Sequence, residues 1–136
     1  MKVEMSVMLN VKSVERSIAF YHSLGFTSRW RWGEDGGKPL YAGVGLGEAV
    51  IALGQIRRDA DGGRYDDYSK WVSTPLGAGV MVSIELNGVD RIYEKAKRAR
   101  VKIESRIREW PYGRAFTVND PDGYVVRFLK PKGEFA

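Results

Sequence analysis

The chain contains no cysteine and a single histidine, His22. The first absence removes disulfides, thiolate nucleophiles and zinc–cysteine sites together, and it suits a reducing compartment. The second leaves any Ser-His-Asp triad dependent on one imidazole near the end of a helical segment, a poor basis for nucleophilic hydrolysis. Long apolar runs are also missing. The opening segment MKVEMSVMLN carries Glu4, Ser6 and Asn10 where a signal-peptide core would be continuous, and nothing approaches the length of a membrane span. The expectation is a cytoplasmic protein with no membrane partner. Nor is charge gathered in one place: the net +5 arises from 22 Lys and Arg against 17 acids. The densest basic stretch, RIYEKAKRARVK, runs along a helical pattern. No helix-turn-helix, zinc-finger or RNA-stacking signature accompanies it, so it reads as a solvated surface and no nucleic-acid partner is expected.

What the chain does have is an internal repeat. The segment SVMLNVKSVERSIAFY from Ser6 lies over MVSIELNGVDRIYEKA from Met81, pairing Val7 with Val82, Leu9 with Ile84, Val11 with Leu86 and Val14 with Val89. The same offset of 75 residues carries EAVIAL, Glu48 to Leu53, onto GYVVRF, Gly123 to Phe128. Two similar halves imply a pseudo-twofold arrangement with a natural site between them. The length permits one domain, 1–136, with module one at about 1–56, module two at about 78–136, and 57–77 between them as linker or lid.

Each half opens on a strand of period two: Val7, Leu9 and Val11 oppose Ser6, Met8 and Asn10, and Val82, Ile84 and Leu86 oppose Met81, Ser83 and Glu85. A helix follows in each. The first has a Ser13 cap, the apolar stripe Val14, Ser17, Ile18, Tyr21 and Leu24, and a stop at Gly25; the second runs from about Val89 to Arg100 on Val89, Ile92, Tyr93 and Ala96. Three more strands are expected in each half, near 26–32, 39–44 and 49–55 and then near 102–106, 112–118 and 124–130. The turns GEDGGKP and NDPDG separate strands within the first and second halves respectively. The order is βαβββ, twice.

These residues resemble the vicinal oxygen chelate superfamily, which includes glyoxalases, extradiol dioxygenases and bleomycin-resistance proteins. LNVKSVERSIAFYHSLGF from Leu9, the paired modules, and PYGRAFTVNDPDGYVVRF from Pro111 carry the resemblance. It implies an α+β fold in which two βαβββ modules form a curved eight-stranded mixed sheet around a central cavity, with helices on the outer face, and it implies a homodimer. Metal-dependent members place ligands at four symmetry-related strand positions, which fall here on Ser6, Ala52, Met81 and Arg127. That set is not a ligand set: Ala52 has no donor, Met81 has a soft thioether, and the fixed charge of Arg127 repels a dication. A slip of one residue lands on apolar Val7, Ile51, Val82 and Phe128. No metal and no cofactor are therefore expected.

Strand parity makes the inner face mixed: Ser6, Met8, Asn10 and Ala52 from one half, Met81, Ser83, Glu85 and Arg127 from the other. Arg127 either grips a ligand carboxylate, phosphate or carbonyl, or pairs internally with Glu85 or with an acid from the loops. Trp30, Trp32, Trp110 and Tyr112 supply aromatic walls, or else core and dimer packing; Trp71 belongs with them. The favoured reading is a metal-independent protein resembling the glyoxalase and bleomycin-resistance class, an antibiotic-resistance type that binds a small aromatic or anionic molecule. A basic chain is ill matched to a cationic glycopeptide. The alternative is an enzyme of lyase, isomerase or dioxygenase type, metal-free with Glu85 as base or metal-dependent through other ligands; a regulatory dimer with an empty cleft is a third possibility.

Overall fold

A computed structural model of the chain describes residues 1–57 and 75–133. The elements run β1 (Val7–Val11), α1 (Val14–Ser23), β2 (Thr27–Asp35), β3 (Lys38–Leu46), β4 (Ala49–Gln55), β5 (Met81–Glu85), α2 (Val89–Arg98), β6 (Ile103–Trp110), β7 (Gly113–Asn119) and β8 (Val125–Pro131). The chain is thus α+β and built from two βαβββ modules, each the centre of a compact unit. Trp71 and most of the segment between the modules lie outside the described residues.

Each module folds a four-stranded mixed sheet, in the order β1-β4-β3-β2 in the first and β5-β8-β7-β6 in the second. In both, the first strand pairs in parallel with the last, because the helix between the first and second strands returns the chain to the far edge. The registers repeat at the sequence offset. Val7 faces Ile51 and Met8 faces Ala52 in module one, while Val82 faces Val126 and Ser83 faces Arg127 in module two.

Period-two alternation sorts the faces. In module one Leu9, Val11, Ala42, Val44, Ile51 and Leu53 are buried, together with Val14, Ser17, Ile18, Tyr21 and Leu24 from α1 and the turn after it. In module two Ile84, Phe116, Val118, Val126 and Phe128 are buried with Val89, Ile92 and Ala96 of α2; Phe116 stacks on Phe128 at 5.2 Å and meets Tyr93 edge-on at 4.9 Å. Burying each large side chain stabilises by about 1.5–3 kcal/mol, so these two faces supply most of the driving force.

The two helix starts are held differently. Ser13 Oγ accepts the Arg16 N–H at 3.1 Å, and Gln55 Oε1 at the end of β4 accepts the Val14 N–H at 3.0 Å. α2 begins at Gly88 with no side-chain cap, and its first turn carries Asp90 instead. Arg114 on β7 grips that carboxylate with Nη2 at 2.8 Å and Nε at 3.0 and 3.1 Å. Hydrogen bonding from Arg114 lowers the Asp90 pKa from its ordinary value. The stability this contributes is therefore present above the unfolded carboxylate value and lost as pH falls through the lower folded one. The pair is open to solvent, so Asp90→Asn should remove that acid-side dependence at a cost below about 1 kcal/mol, read from urea midpoints at pH 7 and pH 3.

Two turns close the antiparallel strands. Strand β2 runs on past Trp32 to Asp35 and β3 begins at Lys38, leaving a hairpin at Gly36 and Gly37, whose φ of 58° and 81° suit a two-residue type I′ turn. Between β7 and β8, buried Asp120 closes the turn, its Oδ1 accepting the N–H groups of Asp122 at 2.9 Å and Tyr124 at 3.0 Å.

The helix ends obey the repeat in geometry but not in residue type. After α1, Gly25 has φ 99° and the Phe26 N–H donates to the Tyr21 carbonyl at 3.0 Å. After α2, Arg100 has φ 57° and the Val101 N–H donates to the Ala96 carbonyl at 3.0 Å. Arginine thus occupies a left-handed position that glycine adopts without strain. Arg100→Gly should stabilise the protein by about 1 kcal/mol, seen as a higher urea midpoint at unchanged m-value.

Candidate functional site

The non-core faces of the two sheets carry the residues that strand parity singles out, and their chemistry differs. In module one a row of laterally paired positions runs Met8, Ala52, Gly43, Trp30 across β1, β4, β3 and β2. It is apolar and poor in side chains. The Trp30 indole lies over Gly43, so close that a Cβ there would sit 2.6 Å from its Cε2, and Trp32 packs on Tyr41 with ring centroids 5.5 Å apart. Gly54 opens space beside Met8 and Asn10. Ser6 precedes β1 and is exposed.

Trp30 and Trp32 share a face, but a strict period of two, which would put Ser28 on that face as well, fails there. The ladder shifts between Ser28 and Trp30, where Arg29 is the extra residue. Ser28 is thereby paired with Val44, and its Oγ lies 2.9 Å from His22 Nε2 in the last turn of α1. The released Arg29 guanidinium covers Gly45 and donates to the Gly47 carbonyl at 2.8 Å.

In module two the equivalent row reads Ser83, Arg127, Thr117, Ser105 across β5, β8, β7 and β6. All four are polar. Arg127 Nε donates to Ser83 Oγ at 3.0 Å, and its guanidinium carbon stands 5.4 Å from the centroid of Tyr112. Tyr112 stacks with Trp110 at 6.0 Å and 13°, and Arg108 caps Trp110 at 3.7 Å. The β6–β7 hairpin thus interleaves cations with rings, each such contact stabilising by about 0.5–2 kcal/mol.

Beside this stack lies a hollow of about 450 Å³ lined by Met81, Glu104, Ser105, Trp110, Tyr112, Ala115, Phe116, Thr117, Val125 and Arg127. Of the residues strand parity selects, Met81, Trp110, Tyr112 and Arg127 meet here, and Ser83 holds Arg127 from behind. Glu85 does not line it. It is exposed and faces Leu129, one step along from Ser83, and no carboxylate among the described residues pairs with Arg127. Ser105, Thr117 and Glu104 are the residues sequence reasoning missed. Thr117 could have been found by laying β7 against β8 from the hairpin turn, whereas Ser105 and Glu104 sit where β6 bulges between Ile103 and Arg108.

A family model described as the Glyoxalase/Bleomycin resistance protein/Dioxygenase superfamily matches residues 5–128. The chain belongs to this superfamily. Among solved structures, UcmS2 matches with a TM-score of 0.74 at 18% identity, covering 95% of this chain and 98% of its own. TioX from Micromonospora sp. ML1 matches with a TM-score of 0.71 at 18% identity, covering 96% and 100%. TnmS3, an antibiotic binding protein from Streptomyces sp. CB03234, matches with a TM-score of 0.64 at 18% identity, covering 97% and 99%. No curated protein matches. At these identities the likeness to solved structures shows the fold.

Superfamily membership raises the question of a metal, and the donor set answers against it. The four positions that the resemblance assigns to ligands hold a hydroxyl, a methyl group, a thioether and a guanidinium. Among the described residues no group of three or more His, Asp or Glu side chains stands together. The residues present do not fit a divalent ion, which needs several oxygen or imidazole donors.

The module-one row makes its own prediction. Gly43→Ala should displace the Trp30 indole and change the near-ultraviolet circular dichroism, and the same substitution in a Trp30→Phe background should leave the spectrum unchanged.

Proposed function

We propose that this superfamily member binds a small aromatic or anionic molecule without a metal ion, holding it in the hollow of module two. One observation carries the reading. Arg127 is a half-buried cation with no carboxylate partner among the described residues, set against a ring that a planar ligand can share. Such a guanidinium is open to a ligand anion, and a charge-assisted, bidentate contact there would orient the ligand as well as attract it. The hollow is within the range of small-molecule sites, and its mix of aromatic walls with a few directed polar groups is the usual pattern of one.

The similarity to an antibiotic binding protein supports a sequestering role, and the net charge of +5 favours an anionic over a cationic ligand. A homodimer is part of the proposal. Met8, Trp30, Trp32 and Val50 are each more than 40% exposed on module one's sheet, an apolar surface that a second subunit would cover. The absence of cysteine supports a cytoplasmic setting. Glu85, standing outside the hollow, has no base role in this reading.

The test pairs metal analysis with binding. Purified protein should carry far less than one transition-metal ion per chain, and its affinity for aromatic acids, followed by tryptophan fluorescence, should not change after chelator treatment. One tightly held ion per chain, with binding lost on chelation, would overturn the proposal.

A further inference from the structure

The polar row of module two restricts the ligand further, and this step rests on the binding function just proposed. Arg127 commits its Nε–H to Ser83 Oγ at 3.0 Å, which fixes the plane of the guanidinium and leaves both Nη groups without a polar partner among the described residues. A guanidinium held in this way presents two parallel donors, the spacing that matches a single carboxylate. It also lies 5.4 Å from the Tyr112 ring centroid, so a group gripped by Arg127 is brought alongside an aromatic face.

The rest of the charge around the hollow sets the valence. Arg108 lies over the Trp110 ring at 3.7 Å and does not line the hollow, which leaves Arg127 as the one cation among its described lining residues. Glu104 lines the same hollow as Arg127 and is itself negative. One available cation with a carboxylate nearby favours a monoanion, and disfavours a phosphate ester, which carries about −1.5 to −2 charges at neutral pH. Thr117 and Ser105 extend the row with hydroxyls, which can both donate to and accept from a neutral polar substituent.

We infer that module two recognises a planar aromatic monocarboxylate, with the carboxylate on the Arg127 Nη groups and the ring along Tyr112. Arg127 is the anion anchor, and Ser83 is a positioning residue that acts through it.

The test uses 2-naphthoate, 2-naphthamide and 2-naphthyl phosphate as probes against the full-length protein by isothermal titration calorimetry. 2-Naphthoate should bind at least tenfold more tightly than either of the others. Arg127→Gln should weaken 2-naphthoate by roughly tenfold to a hundredfold, the range for hydrogen bonds to a charged group, and leave 2-naphthamide within about threefold. Arg127→Lys, which keeps the charge and loses the fork, should recover only part of the affinity. Tyr112→Leu should weaken 2-naphthoate and 2-naphthamide by similar factors. Thermal unfolding of each variant guards against misfolding, and if Arg127→Gln fails to fold, the Arg127→Lys comparison and the probe ranking on unaltered protein decide. Equal binding of naphthoate and naphthamide, or tighter binding of the phosphate, overturns this inference while leaving small-molecule binding intact. Failure of all three aryl probes, with binding found only for non-aromatic ligands, overturns it as well.

Discussion

Parallel pairing of the first and last strand of each module governs everything else on these sheets. A strand's side chains alternate with a period of two, so a slip of one residue in β1 against β4, or in β5 against β8, would exchange the core face for the solvent face. Burial of Leu9, Val11, Ile51 and Leu53 on one side, and of Ile84, Val126 and Phe128 on the other, makes such a slip prohibitive. Fixing the register for the core also fixes, at no further cost, which residues stand opposite: Met8 beside Ala52, and Ser83 beside Arg127.

Duplication supplied two equal scaffolds, and the exposed faces have diverged in chemistry. The row across module one is Met8, Ala52, Gly43 and Trp30; the matching row across module two is Ser83, Arg127, Thr117 and Ser105. The first leaves room and an indole surface. The second offers hydroxyls and one oriented cation. The resemblance assigns metal ligands to the positions of Ala52 in the first row and Arg127 in the second, and a methyl group and a guanidinium stand there instead. In the proposed function, that guanidinium attracts the kind of ligand oxygen a dication would have bound.

Much of this was legible in the chain itself. The 75-residue offset, the Ser13 cap, the buried stripes of both helices and the shared face of Ser83 and Arg127 all follow from local periodicity and short-range capping, which the structure retains. What was not legible depends on interactions between strands. Bulges at Arg29 and within β6 change parity without any glycine or proline to mark them, moving Ser28 off the tryptophan face and hiding Ser105. For Arg127 the sequence left open Glu85, an acid from the loops, or a ligand. Only side-chain geometry shows that Ser83 takes its Nε–H and that Glu85 stands beside Leu129. The repeat also breaks where glycine would be expected: Arg100 holds the left-handed position that Gly25 holds in module one, and its residue type gave no warning.

In the proposed function, Arg127 occupies a position that the resemblance assigns to a metal ligand and receives a ligand anion there. A crystal structure of the protein soaked with an aromatic monocarboxylate and with a divalent cation together tests this most directly. The expected result is carboxylate oxygens at about 2.7–2.9 Å from the Arg127 Nη atoms, the ring beside Tyr112, and no cation on the module-two sheet. A cation bound among Ser6, Ala52, Met81 and Arg127, or the carboxylate seated away from Arg127, would contradict it.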